Sequence, residues 1–249
     1  MENLNWWENF FDDTLGDVTL TSATESIYDF MSKLLPETAK LTVFDQCCGK
    51  GYLTKEFAKH GYSALGIDAS KSFIDFADKN CASENCRFVN KDAKKFLAPE
   101  PFDIAINWNT SFAYDEDDEE NFKMLKAFSD NLKTGGHFFI STLNPDFVKL
   151  HFEKYLDRSF EQDGQLIKCV KESFIEGNML KSYWHVEFPD GKNVTKFGQT
   201  KMYSIDELNM ALLRYNLFIE NVYSNINFKN LSSDYGSMII YGRKYEVRQ

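Results

Sequence analysis

"TVFDQCCGKGYLTKEFAKHGYSALGIDAS", residues 42–70, is the stretch on which the reading of this chain turns. An apolar run through Val43 and Phe44 ends in Asp45, two cysteines and two glycines follow, and a second apolar run ends at Asp68. Residues 40–45 read as a buried strand and 52–61 as an amphipathic helix for which Gly61 suits the C′ position. Residues 63–68 read as the next strand. Strand, glycine turn, helix and strand in this order form a βαβ unit with a right-handed crossover and parallel strands.

The alternation continues outward. It predicts a helix over 72–82, strands over 86–92 and 102–108, and a helix over 119–132 on the spacing of Phe122, Leu125, Phe128 and Leu132. Gly135-Gly136 stops that helix before a strand over 137–143. Upstream, Ser22 and Glu25 have capping-box spacing ahead of Ile27, Phe30, Met31, Leu34 and Leu35, so a helix is expected over 23–35, closed by Pro36. A further helix is expected after Asn144-Pro145. Between 159 and 203 the pattern changes to alternating, polar-interrupted runs at 165–174, 178–188 and 193–204, with "EGN" and "PDG" as turns between them, which predicts antiparallel strands. A helix over 204–216 and strands over 218–224 and 237–244 close the chain.

The 249 residues suffice for one large α/β domain with a modest insertion. Lys plus Arg number 28 against 38 Asp plus Glu, a formal charge of −10, which argues against a nucleic-acid partner because neutralising phosphates needs a cationic face. Cysteines at 47, 48, 81, 86 and 169 show no spacing typical of a zinc site, and no metal is expected. With an acidic start and no long apolar run, the expectation is a cytoplasmic protein without a membrane segment.

In an open parallel sheet a ligand binds beyond the C-terminal strand ends, where the strand order reverses. Gly49 and Gly51 allow the loop after the first strand to turn sharply. A dinucleotide fingerprint would place a third glycine where Thr54 stands, and "GKGY" lacks the spacing of a phosphate-binding P-loop. Asp45, Asp68 and Asp92 follow three successive strands, and a carboxylate after the second strand can accept both hydroxyls of a ribose. The loop therefore suits a nucleoside whose remaining group is small, rather than a pyrophosphate.

This run, with "FVNKDAKKF", "FDIAINWNTSFAY" and "LKTGGHFFIST", resembles the class I S-adenosylmethionine-dependent methyltransferases, and "D-x-C-C-G-x-G" is similar to a branch acting on small molecules. The resemblance covers roughly 40–145 and fits the closing helix and hairpin. It implies an α/β, Rossmann-like, mostly parallel seven-stranded sheet with an antiparallel last strand and a small antiparallel β cap insertion. The implied organisation is a helical lid over 1–36, a cofactor-binding core over 37–158, the cap over 159–203 and the end of the core over 204–249. It further implies S-adenosyl-L-methionine as cofactor, with Asp45, Cys47, Gly49 and Gly51 under its methionine part, Asp68 at the ribose and Ala69 beside the adenine. Asp92 and Ala93 match the adenine edge, and Asn107 matches the position facing the methionine amino group. The chain departs from amide and base-amine methylases at Asn107-Trp108-Asn109-Thr110, and carries Lys201 and Met202 where the branch commonly has an Arg before the Tyr at 203.

For the acceptor, the expected contacts are Trp7 and Phe11 from the lid, Tyr114, and Tyr183 and Tyr203 from the cap region. His185 is the candidate base; alternation sends Trp184 to the face opposite Tyr183 and His185, so only one of these sets meets the ligand. Cys47 and Cys48 read as small packing thiols, and the acidic run 115–121 as a solvated helix start that complements the macrodipole. The acceptor is expected to be a small molecule and the protein a monomer or homodimer. The competing readings are an NAD(P)-dependent oxidoreductase and a non-catalytic S-adenosylmethionine-binding regulatory module.

Overall fold

The computed structural model describes residues 10–11, 23–37, 41–162 and 164–246. Trp7 and most of the expected lid, with the capping residue Ser22, lie outside the described residues. In chain order, α1 (Thr24–Ser32) precedes β1 (Thr42–Gln46), α2 (Tyr52–Lys59), β2 (Ser63–Asp68), α3 (Lys71–Asn80) and β3 (Cys86–Asn90). Then come β4 (Phe102–Asn107), α4 (Asp118–Asp130), β5 (Leu132–Leu143) and α5 (Pro145–Leu150). Five strands follow, β6 (Tyr155–Asp157), β7 (Phe160–Gln162), β8 (Gln165–Glu176), β9 (Met179–Glu187) and β10 (Asn193–Lys201), before α6 (Ile205–Leu213), β11 (Leu217–Tyr223) and β12 (Ser237–Lys244).

Seven strands form one sheet in the order β11-β12-β5-β4-β1-β2-β3. The pairs β1–β2, β1–β4, β2–β3 and β4–β5 are parallel, whereas β12 runs antiparallel to β5 and to β11. This is the Rossmann-like sheet with its antiparallel last strand. Strand order reverses between β1 and β4, so the crevice for a ligand opens at their C-terminal ends.

Alternation on strands buried on both faces supplies two cores. Val43, Ile104, Ile106 and Phe139 pack on Phe30 and Met31 of α1, Phe57 of α2 and Ile74 of α3. Phe44, Ala105, Phe138 and Ile140 pack on Phe122, Leu125 and Phe128 of α4 and Leu208 and Leu212 of α6. Side chains cap the helix starts: Ser70 accepts from Phe73 N–H, Asp117 from Glu119 N–H and Asn144 from Asp146 N–H, while Ser204 and Glu207 form a capping box. Asp118, Glu119 and Glu120 occupy the first turn of α4, where the acidic run stabilises the helix start.

One boundary differs from the pattern in the sequence. β5 begins at Leu132, five residues ahead of the expected strand, and runs through Gly135-Gly136. Buried Asn131 makes the change of direction: its amide donates to Ala127 O and Phe96 O, and its oxygen accepts from Ala98 N–H. Leu132 then pairs with Phe102.

The second sheet has the order β10-β9-β8-β6, with β7 also paired to β8, and is antiparallel throughout. Its strands span Tyr155 to Lys201, so β6 begins ahead of residue 159. β6 and β7 are three residues each and owe their conformation to pairing with β8. No helix among the described residues is long and apolar enough to cross a membrane.

Candidate active site

A cavity of about 670 Å³ lies at the sheet's C-terminal edge, between the loops after β1, β2, β3 and β4 and the inner face of the antiparallel sheet. This volume is that of a typical small-molecule site. Asp45, Cys47, Gly49, Asp68, Ala69, Asp92 and Ala93 line it, as do Phe11 and Tyr114. Six non-glycine residues among those described have positive φ, and four of them, Cys47, Asn109, Thr110 and Ala113, sit in the loops after β1 and β4. Backbone strain is therefore concentrated at this edge, as it commonly is where function requires a fixed loop.

Asp68 ties the glycine loop to β2. Its Oδ2 accepts from Gly49 N–H at 2.9 Å and its Oδ1 from Ser70 N–H at 2.8 Å. Burial raises its carboxyl above the usual range, opposed by the N–H groups of Ser70, Gly49 and Ala69. Asp45 is buried, and Thr54, at the position of the missing third glycine, donates its hydroxyl to Asp45 Oδ2 at 2.6 Å. Burial pushes Asp45 up to about 7, against the Thr54 hydrogen bond and with the help of the Asp68 charge. Asp92 stands at the exposed rim, where it accepts from Lys94 N–H and pairs with Lys95 at 3.3 Å.

The paired cysteines sit where a thiolate is disfavoured. Burial, followed by the nearby Asp68 and Asp45 carboxylates, drives the Cys47 thiol well above its ordinary value, and burial and Asp45 do the same to Cys48. Among the described residues no group of His, Cys, Asp and Glu is arranged to hold a metal ion.

Below the cavity floor, Gln46 and Asn107 form a buried amide pair. Gln46 Nε2 donates to Ala93 O and Met124 O, and Gln46 Oε1 accepts from Asn107 Nδ2 at 3.1 Å. Asn107 Oδ1 is left as a buried acceptor without a partner, the one such side-chain atom among the described residues. An unsatisfied buried acceptor is costly and calls for a donor.

Several sequence expectations need correction. Neither Gly51 nor Asn107 lines the cavity: Asn107 is buried beneath its floor, and Gly51 is the left-handed N-cap of α2, with φ +80°, where a Cβ would stand 2.5 Å from the Phe88 ring. His185 and Tyr183 lie on the outer face of β9. His185 pairs with Thr195 Oγ1 at 3.2 Å and faces Glu172 at 3.6 Å, while Tyr183 packs on Phe174 and Phe197. Trp184 takes the inner face. Tyr203 is buried beside the cavity rather than in it: its hydroxyl donates to Asp118 Oδ1 and accepts from Asn121, and its ring packs on Phe112 and Phe122. Lys201, in the place of the branch's Arg, pairs with Asp118 at 2.6 Å. None of the chain's four histidines lines the cavity.

The residues that sequence patterns missed are those set by cross-strand register. Trp184 is opposite Lys171 on β8, and with Ser182 and Leu180 these form the roof. Phe10 and Phe11 join roof to floor: Phe10 meets Trp184 edge-on at 5.9 Å, Phe11 stacks on Tyr114 at 6.0 Å, and Ser70 Oγ donates to Phe11 O.

Residues 43–136 match the family model described as a methyltransferase domain. Among curated proteins, the chain is 25% identical to the cypemycin N-terminal methyltransferase of a Streptomyces species over 131 residues, 47% of this chain and 54% of that one. It is 32% identical to the ubiquinone biosynthesis O-methyltransferase of Coxiella burnetii over 114 residues, 42% of this chain and 44% of that one. The chain thus spans about half the length of these curated relatives. Among solved structures, an S-adenosylmethionine-dependent methyltransferase from Clostridium acetobutylicum superposes with a TM-score of 0.79 at 18% identity, covering 94% of this chain and 96% of the other. Residues 43–136 thus match a methyltransferase-domain model, in a chain with the fold of the S-adenosylmethionine-dependent methyltransferases.

Proposed function

We propose that the protein transfers a methyl group from S-adenosylmethionine to an oxygen or nitrogen of a small molecule. The observation that carries this reading is the acidic cavity wall of Asp45, Asp68 and Asp92. These groups fit a ligand that carries an ammonium and a sulfonium, and they would repel a pyrophosphate. Lys94 and Lys95, which also line the wall, are held by Asp115 and Asp92. The oxidoreductase reading is weaker for that reason.

S-adenosylmethionine, when bound, supplies a methyl group activated on sulfur. The chain's own residues would hold and orient. Asp45, Cys47 and Gly49 would cradle the methionine part, with Asn107 buried beneath them. Asp68 accepts the ribose hydroxyls, and Ala69, Asp92 and Ala93 border the adenine. Gly51 serves by packing the loop onto Phe88. Phe10, Phe11, Tyr114 and Trp184 form an aromatic enclosure that excludes water and leaves the acceptor few orientations. With no histidine in the cavity, positioning does most of the work. In this reading the large sheet and its helices hold the cofactor, and Phe10, Phe11 and the antiparallel sheet enclose the acceptor. The relatives' names divide between an N-terminal methyltransferase and an O-methyltransferase, so both oxygen and nitrogen acceptors stand. The five free cysteines suit a reducing compartment, and we place the protein in the cytoplasm, as a monomer or homodimer.

The test is incubation with methyl-labelled S-adenosylmethionine and a deproteinised metabolite extract. Label is expected in a low-mass product. Binding of the cofactor with no labelled product from extracts of diverse origin would favour a non-catalytic regulatory module instead.

A further inference from the structure

We infer that the methyl acceptor carries an oxyanionic group, a carboxylate or a phosphate, and that Lys171 in the cavity roof recognises it. The inference rests on the methyl-transfer reading of this cavity and adds the class of acceptor.

The cavity is divided by charge. Its carboxylates, Asp45, Asp68, Asp92, Asp115 and Glu120, come from the large sheet and the segments that follow its strands. The roof contributes Leu180, Ser182, Trp184, Gly198 and Thr200, all neutral, together with Lys171. Four other lysines line the cavity: Lys94 pairs with Asp115, Lys95 with Asp92 and Lys123 with Glu120, while Lys50, on the glycine loop, has its Nζ 5.0 Å from the centroid of the Phe76 ring. Lys171 has no carboxylate within ion-pair distance among the described residues. Its Nζ lies 5.4 Å from the centroid of the Trp184 ring, its cross-strand neighbour.

A cation taken out of water without a counter-ion is a net cost to the fold. Here burial, with the charge of Arg158 added, lowers the Lys171 ammonium to about 8. Because no carboxylate lines the roof among the described residues, the group that compensates this charge arrives with a ligand. The cofactor's one carboxylate is bonded to the carbon that bears its ammonium, so in this arrangement it lies with the ammonium at the glycine loop and not at the roof. An oxyanion on the acceptor does, through a charge-assisted hydrogen bond, while the adjacent Trp184 face takes an apolar or planar body. The same contact fixes the end of the acceptor remote from the methyl, which is what a site without a catalytic histidine needs.

The test is calorimetry on the full chain saturated with S-adenosylhomocysteine, titrated with benzoate, phenyl phosphate and the neutral benzamide. At least one anion is expected to bind about tenfold or more tightly than benzamide, the worth of one charge-assisted hydrogen bond. The two anions tell a carboxylate acceptor from a phosphate one. Lys171→Met should abolish the preference and Lys171→Arg should retain it, with S-adenosylhomocysteine affinity unchanged in both, which separates recognition from misfolding. Anions binding no better than benzamide, or a preference that survives Lys171→Met, overturns the inference. Failure of the wild type to bind S-adenosylhomocysteine would instead overturn the methyl-transfer reading.

Discussion

Asp68→Ala is expected to weaken S-adenosylmethionine binding about a hundredfold, measured by calorimetry. A carboxylate has about four acceptor sites. Two of those on Asp68 take the N–H groups of Gly49 and Ser70. Ala69 N–H also faces the carboxylate, and the remaining acceptor capacity is open to the hydroxyls of a ribose. Hydrogen bonds to a charged group contribute about 1.5 kcal/mol or more each, so losing two costs about 3 kcal/mol, and each 1.4 kcal/mol is a factor of ten. The substitution also frees the loop at Gly49, so some loss of thermal stability is expected with it. A lower Tm with unchanged cofactor affinity would show that Asp68 only braces the loop, and the site assignment would be wrong.

Gly51→Ala is expected to have the largest effect on folding, lowering Tm by about 10 °C. Gly51 has φ +80°, and an alanine there meets a left-handed penalty of about 1–2 kcal/mol. Its Cβ would also stand 2.5 Å and 2.6 Å from two atoms of the Phe88 ring and 3.0 Å from Ala77 Cβ. Phe88 is buried between α2 and α3 and cannot swing clear, so overpacking adds about 1–3 kcal/mol. A total of about 3 kcal/mol corresponds to roughly 10 °C in a chain of this size. A melting scan with an unchanged midpoint would contradict the close approach. Because Gly51 is outside the cavity, any variant that folds should still bind cofactor.

The sheet was legible because each of its strands is an apolar run ended by a turn signal, and each of its helices carries a one-sided stripe. That Asp45, Gly49, Asp68 and Asp92 meet at one cavity was legible for a related reason: they follow strand ends, and strand ends of a parallel sheet converge. What failed to show was anything decided by pairing between distant segments. Alternation along β9 established that Trp184 and His185 face opposite ways, but which face is inner depends on the register with β8 and β10 and on how that sheet sits over the cavity. His185 and Tyr183 therefore fell on the wrong side, and Lys171 was overlooked. Tyr203 has the composition of a pocket residue, yet its hydroxyl is spent on Asp118 and Asn121. Gln46 and Thr54 gave no signal of their own, since their partners, Asn107 and Asp45, become neighbours only after folding. The start of β5 was missed because Gly135-Gly136 normally breaks a pattern, whereas here the strand passes through it.

The most direct measurement is calorimetric titration of the wild-type chain with S-adenosylmethionine and, separately, with NADH. One-to-one binding of S-adenosylmethionine and none of NADH is expected from the acidic wall. Binding of NADH without S-adenosylmethionine would contradict the account at its centre.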